Sequence, residues 1–211
     1  VTGSLNNLAG IYDIQGRYEE AESLYLQALE MRKKCLGDEH PMVAIGLNNL
    51  ANLYMSQCRY KKAESLYVQS LETRKKSLGD EHLMVANILN NLAECYIHQG
   101  RYDEAEPFYM QALKMRKKLL REEHPYIAES FNNLAGLYHN QGRYDDAEPL
   151  YLQALDMRKK LLGDEHPDVA TSLSNLVGLY HLQGRYNDAE PFYIQALDMR
   201  KKLLGDEHPS V

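Results

Sequence analysis

Four kinds of side chain recur in this sequence in types and spacings that chemistry uses. The first is an acidic cluster with an imidazole, Asp38-Glu39-His40, which returns as Asp80-Glu81-His82, Glu122-Glu123-His124, Asp164-Glu165-His166 and Asp206-Glu207-His208. Carboxylates and imidazoles ligate divalent metals, but a site needs three or four of them to converge, and neighbours in a tight loop diverge. Standing before Pro41, Pro125, Pro167 and Pro209, these polar side chains are expected to cap helix starts instead. The second kind is tyrosine, 16 in all, which could stack on the bases of a single strand. All but Tyr126 fall at three fixed positions per repeat, such as Tyr138, Tyr144 and Tyr151, so they read as packing residues. The third is a basic triplet, Arg32-Lys33-Lys34 and its four equivalents, and the fourth an asparagine pair, Asn6-Asn7, Asn48-Asn49, Asn90-Asn91 and Asn132-Asn133, with Ser174-Asn175 in the fifth place.

The elements that must position these groups follow from the period. Gly16-Arg17-Tyr18 returns as Cys58-Arg59-Tyr60, Gly100-Arg101-Tyr102, Gly142-Arg143-Tyr144 and Gly184-Arg185-Tyr186, every 42 residues without insertion or deletion. Each unit reads as two helices. In the fourth, Ile127, Phe131, Leu134, Ala135 and Tyr138 lie on one helical face, and Ala147, Leu150, Tyr151, Ala154 and Leu155 repeat the pattern in a second helix. Gly142 suits the left-handed position that ends the first helix, and Gly163 closes the second. Neither helix buries its apolar stripe alone; stacked hairpins bury it continuously. The expected organisation is one solenoid over 1–211, with repeats at 1–40, 41–82, 83–124, 125–166 and 167–208 and the start of a further unit at 209–211.

Leu134-Ala135, Tyr138, Ala147, Tyr151 and Ala154 match the large-and-small pattern of tetratricopeptide repeats. The 42-residue unit is longer than that family's usual 34. The sequence LNNLA, QGRY, EAE, QAL, RKK and EHP, in that order, resembles the cargo-binding domain of kinesin light chains, over essentially the whole chain. The resemblance implies an all-α, right-handed superhelical solenoid of five antiparallel helix hairpins, whose first helices line a concave groove. It also implies that an Arg of the basic triplet reaches the groove and pairs with acidic peptides. The candidates are Arg32, Arg74, Arg116, Arg158 and Arg200, of which the central Arg74, Arg116 and Arg158 are favoured. The lysines that kinesin light chains place just before the Asn pair are missing: here stand Ile45 and Leu47, Asn87 and Leu89, Glu129 and Phe131.

The Asn pairs carry the groove reading furthest. Asn is a mediocre helix former, and its recurrence in mid-helix calls for a task for the amide. Asn132, Gly136, His139 and Asn140 share a face rotated from the core stripe, as do Asn48, Asn52, Met55 and Ser56, and Asn90, Glu94, Ile97 and His98. Amides on that face donate to and accept from an extended peptide backbone. They could equally form an Asn ladder between neighbouring repeats. The candidate peptide-binding set is Asn48, Asn49, Asn52, Asn90, Asn91, Asn132, Asn133 and Asn140, with Arg74, Arg116 and Arg158.

Composition bounds the rest. With 24 basic against 30 acidic residues the formal charge is −6, which draws the chain toward neither nucleic acid nor anionic lipid. No apolar run approaches the roughly 18 residues of a membrane span, and the N-terminus lacks the features of a secretory signal. Without an initiator Met the chain reads as a piece of something longer. Cys35, Cys58 and Cys95 share no ligand spacing, so the expected setting is reducing and cytoplasmic. Cys58 replaces a turn glycine, as tolerated strain or as a redox-sensing thiol; Cys95 sits on the core stripe. Pro107, Pro149 and Pro191, early in three second helices, read as bends or stiffeners. No nucleophile–base pair, phosphate loop or metal cluster emerges. The expected function is a protein–protein interaction scaffold without catalysis or cofactor, binding an extended peptide of a partner as a cargo adaptor does. The alternative is a structural spacer or self-assembling module, with the first and last units leaving apolar surface for end-to-end association.

Overall fold

Each first helix after the opening one begins on a histidine that closes it. In the computed structural model, which describes residues 1–204, Nδ1 of His40, His82, His124 and His166 accepts the backbone N–H two residues on, at 3.1 Å in each case. Pro41, Pro125 and Pro167 follow in the first turn. The recurrent loop histidines therefore satisfy orphan donors at helix starts. Loop glutamates pair instead with lysines of the next hairpin: Glu39 with Lys76 at 2.8 Å, Glu123 with Lys160 at 3.4 Å and Glu165 with Lys202 at 2.9 Å.

Among the described residues there are ten helices and no strand: α1 (Thr2–Ile14), α2 (Tyr18–Leu36), α3 (Pro41–Ser56), α4 (Tyr60–Leu78), α5 (Leu83–His98), α6 (Tyr102–Leu119), α7 (Pro125–Asn140), α8 (Tyr144–Leu162), α9 (Pro167–Leu182) and α10 (Tyr186–Leu204). They form five helical hairpins, and none is long and apolar enough to cross a membrane. The hairpin turns use the left-handed region that a missing Cβ permits, with Gly16, Gly100, Gly142 and Gly184 at φ 70–74°. Cys58 adopts it too, at φ 57°, alone among the described non-glycine residues. The turn still closes normally, Arg59 N–H donating to the Tyr54 carbonyl at 2.8 Å. The loss of glycine is thus borne as backbone strain of about 1 kcal/mol. Pro107, Pro149 and Pro191 lie inside α6, α8 and α10, and each helix runs on past its proline.

By its contacts the chain divides into two compact units, Val1–Met115 and a second beginning at Arg116. In the first, α1 packs on α2 and α3 on α4, and successive hairpins meet where α2 lies on α3 and α4 on α5. In the second, α7 packs on α8, α9 on α10, and α8 on α9. The helices approach through alanines with no exposed surface: Ala9, Ala51, Ala93 and Ala135 on first helices, and Ala21, Ala63, Ala105 and Ala147 on second ones. Leu53, Cys95, Leu137 and Leu179 occupy one register position and are wholly buried, so Cys95 is a core residue. Its thiol donates to the Tyr60 carbonyl at 3.3 Å, and burial raises its pKa. The fifth loop (205–208), the expected start of a further unit (209–211) and the side chain of Arg200 lie outside the described residues.

Candidate groove on the first helices

In the first unit the exposed face of α3 and α5 encloses a recess of about 400 Å³, lined by Asn52, Met55, Tyr67, Asn91, Glu94 and His98. Helical spacing brings these residues together, since Asn52 with Met55, and Asn91 with Glu94 and His98, stand one turn apart. Tyr67 rises from α4 and donates its hydroxyl to Asn52 Oδ1 at 2.5 Å. Burial pushes the Tyr67 phenol well above its usual range, so it stays a donor at physiological pH. Asn91 Nδ2 donates to Asn48 Oδ1 at 3.2 Å. Each amide is held at one end, and among the described contacts Asn52 Nδ2 and Asn91 Oδ1 have no protein partner. Glu94 is exposed, and His98 stacks on Tyr60 with centroids 5.3 Å apart.

The asparagines divide by burial. Asn52 and Asn140 are exposed, Asn48, Asn49, Asn91, Asn132 and Asn133 are half-buried, and Asn90 is buried. In the second unit Asn175 Nδ2 donates to Asn132 Oδ1 at 2.9 Å, repeating the Asn91–Asn48 bond. The pairs therefore do form ladders between neighbouring hairpins, each rung joining the second Asn of one repeat to the first of the one before. His139 is half-buried, edge-on to Tyr144 and Tyr151 at 5.8 and 6.3 Å, and its pKa is lowered by that burial.

The triplet arginines turn to the junction between hairpins. Arg116 is buried, and its Nη1 donates to the Tyr126 carbonyl at 2.9 Å and to Ser130 Oγ at 2.8 Å. Half-buried Arg158 does the same with the Asp168 carbonyl (3.1 Å) and Ser172 Oγ (2.7 Å), and Arg32 reaches the Met42 carbonyl at 3.3 Å. Arg74 is equally buried, but Ile88 stands where Ser130 and Ser172 stand, and its Nε and Nη1 have no partner. Burial lowers the pKa of all four. Arg32, Arg116 and Arg158 thus tie the ends of α2, α6 and α8 to the starts of α3, α7 and α9.

A second polar link joins adjacent hairpins on another surface. Glu22 accepts from Tyr54 and Arg59, both at 2.7 Å, and Glu148 from Tyr180 at 2.8 Å and Arg185 at 2.5 Å. Arg101 reaches Glu64 at 2.8 Å. Each of these arginines also lies over the tyrosine of its own hairpin, 4.2–4.5 Å from the ring centre.

The tetratricopeptide repeat model matches residues 2–71, 43–118 and 126–202. No curated protein matches the chain. Among solved structures it is similar to BtubC (BKLC) from P. vanneervenii, at 28% identity and TM-score 0.85, covering 97% of this chain and 81% of that one. Two structures of a Podosopora anserina putative kinesin light chain with nearly identical TPR-like repeats are also similar. One, a single-substitution form, is 29% identical at TM-score 0.82, covering 95% of this chain and 94% of that one. The other is 28% identical at TM-score 0.80, covering 95% of each chain.

Proposed function

We propose that this chain, which belongs to the tetratricopeptide repeat family, binds an extended peptide of a partner protein along the polar face of its first helices. Arrays of this family are protein–protein interaction scaffolds; the groove and the kind of ligand are the further step. The recess between α3 and α5 carries the reading. It offers Asn52 Nδ2 as donor and Asn91 Oδ1 as acceptor, each on an amide fixed by a bond at its other end. A peptide backbone presents an N–H and a C=O at every residue, so oriented amides suit it, and pre-orientation lowers the entropic cost of binding. Asn48 and Asn49 flank this recess in sequence, and Asn132, Asn133 and Asn140 hold related places in the second unit. Arg116 and Arg158 brace the junctions between hairpins, and Arg74 lies buried at the equivalent place. The likeness to a putative kinesin light chain favours a cargo-adaptor-like role.

Immobilised libraries of extended peptides, probed with the wild type and with Asn52→Ala and Glu94→Ala, test this. Both variants should lose most peptide binding; Glu94→Ala should melt within a few degrees of the wild type because Glu94 is exposed, while Asn52→Ala, which strips the Tyr67 hydroxyl of its acceptor, should lose about 1–2 kcal/mol of stability at most. Unchanged binding, or a loss of stability in step with binding, would remove the groove from the account.

A further inference from the structure

None of the 24 lysines and arginines stands on a first helix. Both residue types are good helix formers and recur in the second helices, so helix propensity does not account for their exclusion. The fixed charges of the five first helices are all carboxylates: Asp13, Glu94, Glu129 and Asp168. Two of these have local work: Glu129 lies 3.7 Å from Arg116, and Asp168 stands in the first turn of α9, where a carboxylate complements the helix dipole. The other two belong to the first unit. Asp13 of α1, half-buried, holds the position that Met55 holds one repeat later, and Glu94, exposed, lines the recess itself. Among the described residues Glu94 makes no ion pair.

The triplet arginines do not offset this charge, because Arg32 is turned to the Met42 carbonyl and Arg74 is buried. We propose that the extended peptide in this groove presents a lysine or arginine side chain to Glu94; this rests on the groove reading above and names what the ligand carries. Half-buried Met55 and the body of Tyr67 give the methylene stem of that side chain an apolar wall. Its ammonium or guanidinium meets the Glu94 carboxylate, one turn along α5 from Asn91, in a charge-assisted hydrogen bond. Asn91 Oδ1 and Asn52 Nδ2 remain for the peptide backbone on either side. An acidic side chain in the same place would face Glu94 with no lysine or arginine on α3 or α5 to balance it, and like charges brought together oppose binding. Kinship implied acidic peptides; the charge of this face selects the opposite sign.

Binding to immobilised extended peptides, each made in three versions with Lys, Gln or Glu at one central position, tests this. The wild type should bind the Lys version roughly tenfold more tightly than the Gln version, and the Glu version most weakly. Added salt should narrow that spread. Glu94→Gln should bind the Lys and Gln versions alike, and Glu94→Lys should prefer the Glu version. Both variants should keep the wild-type circular dichroism and melting, since Glu94 is exposed. Asn52→Ala should weaken all three versions by a common factor and leave their order intact. A wild type that binds these peptides without preferring Lys, or a preference that survives Glu94→Gln, overturns this proposal and leaves the groove standing. If no version binds, the groove itself fails and the proposal fails with it.

Discussion

Arg74 and Arg116 hold the same position one repeat apart, and replacing each with methionine should move stability in opposite directions. Methionine keeps most of the apolar stem and its packing while removing the guanidinium. At Arg116 the change deletes two hydrogen bonds from a charged donor, to the Tyr126 carbonyl and Ser130 Oγ. Such bonds contribute about 1.5–3 kcal/mol each, partly offset by no longer burying a cation whose Nε, like that of Arg74, has no acceptor. The expected net loss is about 1–3 kcal/mol. At Arg74 no bond of that kind exists, and two buried N–H donors, Nε and Nη1, are unsatisfied. Each such donor costs roughly 1–3 kcal/mol, so Arg74→Met should be neutral or stabilising by about 1–2 kcal/mol. Urea unfolding followed by circular dichroism reads the difference; at about 2 kcal/mol per molar, the two midpoints should separate by roughly 1 M or more. Equal destabilisation by the two variants would refute the argument, because it would mean that Arg74 is held by acceptors equivalent to those of Arg116. Arg158→Met, with Ser172 beneath it, should follow Arg116.

Cys58→Gly should raise stability by roughly 0.5–1 kcal/mol, seen as a higher melting temperature, because glycine adopts φ 57° without a Cβ penalty. Leu92→Ala, at a core position with almost no exposed surface, should cost about 2–4 kcal/mol in urea unfolding. His124→Ala removes the acceptor for Tyr126 N–H and should cost about 1 kcal/mol, measured the same way. The Arg185 guanidinium, with help from Tyr180, holds the Glu148 carboxyl below its usual range. A lowered folded pKa gives stability that is present above the unfolded value near 4.3 and lost as pH falls through the folded one. The stability gap between wild type and Glu148→Gln should therefore be flat above about pH 5 and close below about pH 4. Because the pair is partly exposed, the gap should be about 1 kcal/mol or less.

Helices and turns were legible in the sequence because each is set by local chemistry: period, turn glycine, proline and a polar residue before it. Cys58 could be placed at a left-handed turn from the glycines of its four counterparts alone, and Cys95 in the core from the leucines and isoleucine in its row. The arginines were harder. Kinship pointed them toward the groove, while Arg116 and Arg158 reach the next first helix, and helical spacing within one element does not say which neighbour a long side chain meets. A sequence signal did exist, in Ser130 and Ser172 standing 14 residues beyond each arginine, with Ile88 breaking the pattern for Arg74. For the asparagines the sequence left ladder and ligand open together. The ladder is there, and the other end of Asn52 and Asn91 remains available beside it. Tyr67 was legible as packing but not as the anchor of Asn52, since that bond crosses from α4 to α3 between residues 15 apart in sequence.

The Glu–Tyr–Arg links, the Asn rungs and the arginine ties have one property in common: each reaches no farther than the adjoining hairpin. No described strap spans three hairpins, so tension applied to the ends has no single fastening to overcome. Under a slow pull the chain should lengthen in discrete steps, one hairpin at a time. Forty-two residues drawn out near their limit release about 14 nm per step. The molecule would then act as a spring with a stepwise travel, shortening again as each hairpin finds the neighbour against which it folds.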